Sequence, residues 1–95
     1  MSDIIEKAAE ALARKLGGSF PPTAKFVIPG EGTIIADADG VRAGEDEAAV
    51  TMTASAEVFR GILEGSVNPT MAFMSGKLKI DGSMGLALQL AGKLS

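Results

Sequence analysis

The chain has 95 residues, of which 46% are hydrophobic and 22% charged, values typical of one small globular domain rather than of a disordered chain. It contains no His, Cys, Trp or Tyr, which excludes His- or Cys-based nucleophile systems, zinc sites of Cys and His, and disulfides. The net charge of −3 disfavours a nucleic acid partner. We therefore expect a single domain over residues 1–95 with no metal, no cofactor and no nucleic acid partner.

The first half of the chain predicts one helix followed by strands. Residues 2–16 carry apolar side chains at helical spacing, and Gly17-Gly18 follows as a stop signal. Strand patterns separated by turn signals, among them Asp39-Gly40, then follow. The predicted strands are 23–28, 33–37, 41–43 and 47–54, which together favour a four-stranded meander.

The second half returns to helical spacing. Ser55 is a typical N-cap for a helix that ends at Gly65, and Asn68 caps a short helix that ends at Gly76. Residues 77–81 predict a strand, and Ser83 caps a final helix over 84–94. The order of one helix, four strands, two helices, one strand and one helix predicts an α+β domain.

The final helix is apolar on nearly every side, with only Gln89 and Lys93 as a thin polar stripe. Something apolar must then lie on two sides of it. Either the helix is sandwiched in the core or packed on a partner, or one face packs on the sheet while the other lines a cavity. Met84 and Leu88, one helical turn apart, share a face and would border that cavity.

Several motifs of the chain resemble the sterol carrier protein 2 family, the nonspecific lipid-transfer domain. They run from Asn68-Pro69 and Ala72-Phe73 through Gly76-Lys77-Leu78-Lys79-Ile80 and Gly82 to Met84-Gly85-Leu86-Ala87 and Leu90. Upstream, Gly17-Gly18, Met52-Thr53-Ala54 and the Phe59 helix fall in the family's order. The resemblance covers nearly the whole chain and identifies a short single-domain form.

This resemblance implies a five-stranded, mainly antiparallel sheet covered on one face by helices, with a hydrophobic tunnel between them. It also implies non-catalytic binding and transfer of sterols, fatty acids or fatty acyl-CoA. We expect the cavity that holds the lipid to be lined by apolar residues whose side chains face inward according to helix or strand periodicity. These residues are Met52, Phe59, Ile62, Leu63, Met71, Phe73, Met74, Leu78, Ile80, Met84, Leu86, Leu88 and Leu90.

The expected partner is thus a lipid or fatty acyl ligand, with transient membrane contact during exchange, and the oligomeric state stays open. No apolar run is long enough to span a bilayer, and Asp3 and Glu6 stand where a signal peptide would need positive charge, so the cytoplasm is the expected location. The last residues, Gly92 to Ser95, do not form a peroxisomal tripeptide. An alternative is a protein-interaction or structural module that uses the apolar C-terminal helix as a docking surface. An enzyme that uses carboxylates would need a positioned pair, and the sequence offers none.

Overall fold

The computed structural model describes residues 3–18 and 23–94 of the chain. Its elements in chain order are α1 (Asp3–Leu16), β1 (Ala24–Ile28), β2 (Gly32–Asp37), β3 (Gly40–Ala43), β4 (Val50–Ala54), α2 (Ala56–Glu64), α3 (Pro69–Met74), β5 (Leu78–Gly82) and α4 (Met84–Leu94). This order confirms the predicted α+β class. Residue 2 of the predicted first helix lies outside the described residues.

The strands form one mixed sheet in the order β3-β2-β1-β4-β5. All neighbouring strands are antiparallel except β1 and β4, which pair in parallel from Ala24 opposite Val50 to Val27 opposite Thr53. The mainly antiparallel sheet is therefore confirmed. The predicted four-stranded meander is wrong, because β4 lies beside the central strand β1 and not beside β3.

The connection between β3 and β4, residues 44–49, explains this difference and is called the crossover segment below. It runs over the sheet face that points away from the helices, where the Glu45 carboxylate accepts hydrogen bonds from Lys25 Nζ at 3.1 Å and Thr33 Oγ1 at 3.2 Å. The residues predicted to begin the fourth strand, from Glu47, belong to this segment, so the strand itself begins only at Val50.

The core lies between the other sheet face, called the inner face, and the helices. Side chains of β1 alternate, with Ala24, Phe26 and Ile28 buried and the residues between them half-buried. The Phe26 ring meets the Phe59 ring of α2 edge to face, with centroids 5.9 Å apart, an arrangement that aromatic pairs favour. All the helices contribute side chains to this core, which confirms that they cover one face of the sheet.

The predicted helix caps are confirmed. The side chains of Ser55, Asn68 and Ser83 each accept a hydrogen bond from a backbone N–H in the first turn of the following helix. Gly65 ends α2 with a φ of 85°, a left-handed conformation that favours glycine. Within residues 3–18 and 23–94, no helix combines the length and the apolar character needed to cross a bilayer.

Candidate functional site

A half-open cleft of about 540 Å³ lies between α1 and α2, and we call it the α1–α2 cleft. The two helices contact each other, and residues of both line the cleft. Its lining consists of Ile4, Lys7, Ala8, Ala11, Ile28, Ala56, Glu57, Phe59, Arg60, Leu63 and Glu64. Its volume is within the range of roughly 300–1,000 Å³ that small-molecule sites occupy.

The cleft is apolar inside because of the small residues on α1. Ile5, Ala9 and Leu12 of that helix are buried in the core, and Ala8 and Ala11 lie next to them on the side facing α2. An alanine side chain is a single methyl group, so these positions leave space that larger residues would fill. Buried Ile28 and Phe59 contribute the adjoining apolar surface from β1 and α2.

The charged residues of the cleft carry balanced charge. Lys7, Arg60, Glu57 and Glu64 are all exposed, and Arg60 Nε lies 3.4 Å from Glu64 Oε2, one helical turn away. Exposed pairs of this kind contribute little to stability. An apolar guest with a polar end could therefore bury its chain against the methyl groups while the end stays among hydrated charges.

The carboxyl groups with shifted pKa values lie elsewhere, on the β2–β3 hairpin and the crossover segment. Hydrogen bonds from Arg42 to both Asp37 oxygens, at 3.0 and 2.9 Å, lower the pKa of that carboxyl. Hydrogen bonds from Lys25 and Thr33 lower the pKa of Glu45. These shifts favour the charged forms and belong to ion pairs that hold strands and the crossover segment together.

The residues predicted from the sequence to line a tunnel divide into three groups. The first group is buried in the core at 2% exposure or less and consists of Met52, Phe59, Ile62, Leu78 and Leu90. The second group is half-buried and packs against the core; it consists of Leu63, Ile80 and Leu86. Of both groups, only Phe59 and Leu63 line the α1–α2 cleft.

The third group is exposed on α3 and α4. The exposed fractions of its side chains are 65% for Met71, 39% for Phe73, 76% for Met74, 47% for Met84 and 68% for Leu88. The final helix therefore packs one face, with Ala87, Leu90 and Leu94, on the core. Its Met84–Leu88 face points outward, so the apolar neighbour expected on that side is not supplied by the described residues.

The sequence-based prediction missed the contribution of α1 to the cleft. Ile4 and Ala8 appeared there only as part of an amphipathic pattern, and Ala11 was not part of that pattern. The available signal was the pair of alanines on the flank of the buried stripe, at positions where most surface helices carry longer side chains. Such a signal indicates a cleft only once the position of the neighbouring helix is known.

Comparison with known proteins gives a consistent result. The model of the SCP-2 sterol transfer family matches residues 3–95 of the chain. Hydroxysteroid dehydrogenase-like protein 2 of Bos taurus is 40% identical over 91 residues, which cover 95% of this chain and 21% of that protein. Sterol carrier protein 2 of Homo sapiens is 32% identical over 98 residues, covering 90% of this chain and 17% of that protein. The chain thus spans about a fifth of the length of these curated relatives.

A solved structure shares the fold over the full chain. It is the solution structure of sterol carrier protein 2 from Aedes aegypti in complex with the C16 fatty acid palmitate. The alignment has a TM-score of 0.75 and 19% sequence identity, and it covers 100% of this chain and 97% of that one. At this identity the likeness concerns the fold.

Proposed function

Because the chain belongs to the SCP-2 sterol transfer family, we propose that it binds an apolar lipid without chemical change and exchanges it between membranes. The observation that carries the proposal is the α1–α2 cleft, whose interior is built from methyl groups and an aromatic ring and whose charges are exposed. A fatty acyl chain is the ligand we favour over a sterol. The palmitate held by the Aedes aegypti protein of the same fold supports this choice.

Apolar burial supplies the driving force in this proposal. Each methylene removed from water contributes about 0.8 kcal/mol, against which the losses of translational and internal freedom must be set. A carboxylate at the end of the chain would stay near Lys7 and Arg60 of the cleft. Because the charges in the cleft balance, the acyl chain of the ligand, and not its head group, dominates the affinity.

The distribution of titratable groups supports binding rather than catalysis. Among the described residues, no polar or charged side chain is buried. Catalytic acids and bases usually have environments that shift their pKa values toward the working pH. The lowered carboxyl pKa values found here belong to Asp37 and Glu45, outside the cleft.

We propose that Phe59 and Leu63 contact the ligand directly, since they line the cleft. The other residues predicted to contact lipid stay predictions. A cytoplasmic location also stays a prediction. The alternative function of an interaction module stays open because Leu88 on α4 is 68% exposed. Lipid that copurifies with the protein would favour lipid binding over this alternative.

Displacement of a fluorescent fatty acid by palmitate tests the proposal. Ala11→Trp places an indole in the cleft and should abolish probe binding with little change in thermal midpoint. Gln89→Trp, on the exposed side of α4, is the control and should bind as the wild type does. Leu88→Trp tests the alternative ligand position on α4. If Ala11→Trp does not fold, Ala11→Leu fills part of the same space.

The outcomes distinguish an error in the proposed ligand position from an error in the proposed function. Loss of binding in Leu88→Trp with normal binding in Ala11→Trp would move the ligand from the cleft to α4. A wild-type chain that binds no fluorescent fatty acid and purifies without lipid would overturn the proposed function itself.

A further inference from the structure

Strand β5 forms one edge of the sheet. The strand order places β3 at one edge and β5 at the other, so that β5 pairs with β4 alone. Within residues 3–18 and 23–94, no further backbone–backbone hydrogen bond reaches Leu78–Gly82. An edge of this kind presents free N–H and C=O groups to an incoming strand. The outer edge of β5 is therefore available for pairing.

The side chains of β5 alternate between the two faces of the sheet. Leu78 and Ile80 point to the inner face, where Leu78 is buried and Ile80 packs half-buried against the core. Lys79 and Asp81 point to the opposite face, called the outer face, and both are exposed. Neither forms an ion pair with another described residue. The outer face of the edge strand thus carries one positive and one negative charge, two residues apart.

A second copy of the strand matches these charges in one register. When two β5 strands pair antiparallel about a two-fold axis at Ile80, Lys79 of each copy lies opposite Asp81 of the other. Side chains directly opposite each other in such a pair are about 5 Å apart at Cβ, and opposite charges there attract. The two Ile80 side chains meet on the inner face, which covers apolar surface that is half-buried in the single chain.

Other symmetric registers that keep the outer faces together are disfavoured. An axis at Lys79 would place the two lysines opposite each other, and an axis at Asp81 would do the same for the two aspartates. A lysine on an edge strand usually protects that strand from association. Here the carboxylate two residues further along changes that protection into a preference for a single register.

The opposite edge of the sheet lacks this self-complementarity. Strand β3 spans only Gly40–Ala43, and its one charged side chain, Arg42, donates to both carboxylate oxygens of Asp37. Two copies of β3 would bring together two positive charges and no acid of their own. The charge pattern therefore favours β5 over β3 as a pairing edge.

The chain segment before β5 does not oppose the approach of a second copy. Residues 65–76, which include α3, contain no charged side chain. Helix α3 contacts β5 and exposes Met71 and Met74. Depletion of charge and enrichment in methionine are typical of the central part of protein interfaces. The composition beside β5 is thus that of an interface between chains.

We propose that two copies of the chain form a symmetric dimer by antiparallel pairing of their β5 strands. The pairing is centred on Ile80, and Lys79 and Asp81 form two equivalent ion pairs on the outer face. The two five-stranded sheets become one continuous sheet, with the helices of both copies on the same side. The α1–α2 cleft contains no residue of β5, so this inference goes beyond the proposed lipid binding and does not depend on it.

Sedimentation equilibrium of the full chain without added lipid, over a range of concentrations, tests the proposal. The wild type should form dimers. Lys79→Glu and Asp81→Lys should each weaken dimer formation about tenfold or more, because either change places like charges opposite each other in both symmetric pairs. Arg14→Glu makes the same charge change as Lys79→Glu at an exposed position on α1, and it should alter dimer formation less than about threefold.

The direction of the Asp81→Lys effect separates paired charges from net charge. This change lowers the net negative charge of the chain, which is −3 in the wild type. A response to net charge alone would therefore strengthen association, whereas the loss of opposite-charge pairs weakens it. Circular dichroism checks that each variant keeps the fold, as expected at exposed positions.

Combining the two changes tests the register. A mixture of Lys79→Glu chains and Asp81→Lys chains should form heterodimers about as strongly as the wild type forms dimers, because each new charge then meets its opposite in the partner. The double variant Lys79→Glu with Asp81→Lys exchanges the two charges within one chain and should also form dimers as the wild type does.

Hydrogen exchange reports on the strand edge itself. The β5 amide groups that do not donate to β4 should exchange more slowly in the wild-type dimer than in Lys79→Glu at the same concentration. These amides are the ones that the incoming strand would engage.

Several results would overturn the proposal. One is a wild type that stays monomeric at the highest concentration reached. Another is a wild-type dimer that both single charge reversals leave unchanged, or a mixture of the two that associates no better than either alone. A dimer in which the outer β5 amides exchange as fast as in the monomer would place the contact between copies elsewhere.

Discussion

Gly61 is the residue at which α2 meets the chain that follows it. Its carbonyl oxygen accepts hydrogen bonds from the N–H groups of Ser66 and Val67 at 2.9 and 3.0 Å. A Cβ on Gly61 would collide with the Val67 side chain, whose backbone is held in place by that same hydrogen bond. Space, rather than backbone conformation, thus requires glycine at this position.

We therefore expect Gly61→Ala to destabilise the fold. Overpacking usually costs about 1–3 kcal/mol, which exceeds the gain of up to about 1 kcal/mol from replacing glycine in a helix. Gly92→Ala in α4 is the matched control, because a Cβ there meets nothing within 4 Å and the variant should be slightly stabilised. Urea denaturation gives both free energies of unfolding. Equal shifts in the two variants would contradict the packing argument.

The Asp37–Arg42 pair predicts a pH dependence. Hydrogen bonding to Arg42 lowers the pKa of Asp37 below its ordinary value of 3.8. Its contribution to stability is therefore fully present above pH 3.8 and is lost as the pH falls through the lowered value. Asp37→Asn keeps the oxygen that accepts the Asp39 N–H but loses the charge.

The stability difference between the wild type and Asp37→Asn should be largest near neutral pH and should shrink as the pH falls below 3.8. Urea denaturation at a series of pH values measures it. Asp39→Asn removes the same charge from the same turn without breaking the bidentate contact and should show a smaller difference. A difference for Asp37→Asn that stays constant with pH would argue against the ion pair.

Single elements were predictable from the sequence where local chemistry decides them. Ser55, Asn68 and Ser83 were recognised as caps because a side-chain oxygen before an apolar run has few other uses. The position of β4 was not predictable, because alternation in residues 47–54 indicates a face but not a neighbouring strand. The sequence left open whether the second apolar face of α4 is covered or points outward, since a helix that is apolar all round gives its periodicity no direction.

The cap of α3 provides a prediction for that element. The helix has only 6 residues, so its own hydrogen bonds barely support it. Asn68→Ala should cost about 1 kcal/mol of stability and speed hydrogen exchange in α3, whereas Asn68→Asp retains a carboxylate acceptor and should cost little. Equal losses in both variants, or unchanged exchange in Asn68→Ala, would show that tertiary contacts alone hold the helix.

For the whole molecule, the sequence indicated the fold class, the covered face of the sheet and the family. It did not indicate the α1–α2 cleft, because that space depends on how two helices that lie four strands apart along the sequence approach each other. In the sequence, Ala8 and Ala11 look like ordinary helix-forming residues. Only the placement of Leu63 on the neighbouring helix shows that they border a cleft. The residues that build a cavity between elements are recognisable mainly after those elements are placed.

A prediction for the whole molecule concerns its affinity for a series of fatty acids. From octanoate through dodecanoate to palmitate, affinity should rise by up to about fourfold per methylene, since each buried methylene contributes about 0.8 kcal/mol. The rise should stop where the chain outgrows the cleft, and salt should matter little. Calorimetry measures both dependences. An affinity that falls with salt and ignores chain length would place the binding energy in the head group.

The central position of β1 has a consequence for synthesis on the ribosome. This strand emerges before all the others, and β2 and β3 then complete one side of the sheet by residue 43. The opposite edge of β1, from Ala24 to Val27, has unpaired backbone groups beside the apolar side chain of Phe26 until β4 (Val50–Ala54) is available to pair with it. Unpaired edges with apolar side chains are sites at which incomplete chains associate. Nascent chains are thus most prone to join one another after residue 43 has emerged and before residue 54 has.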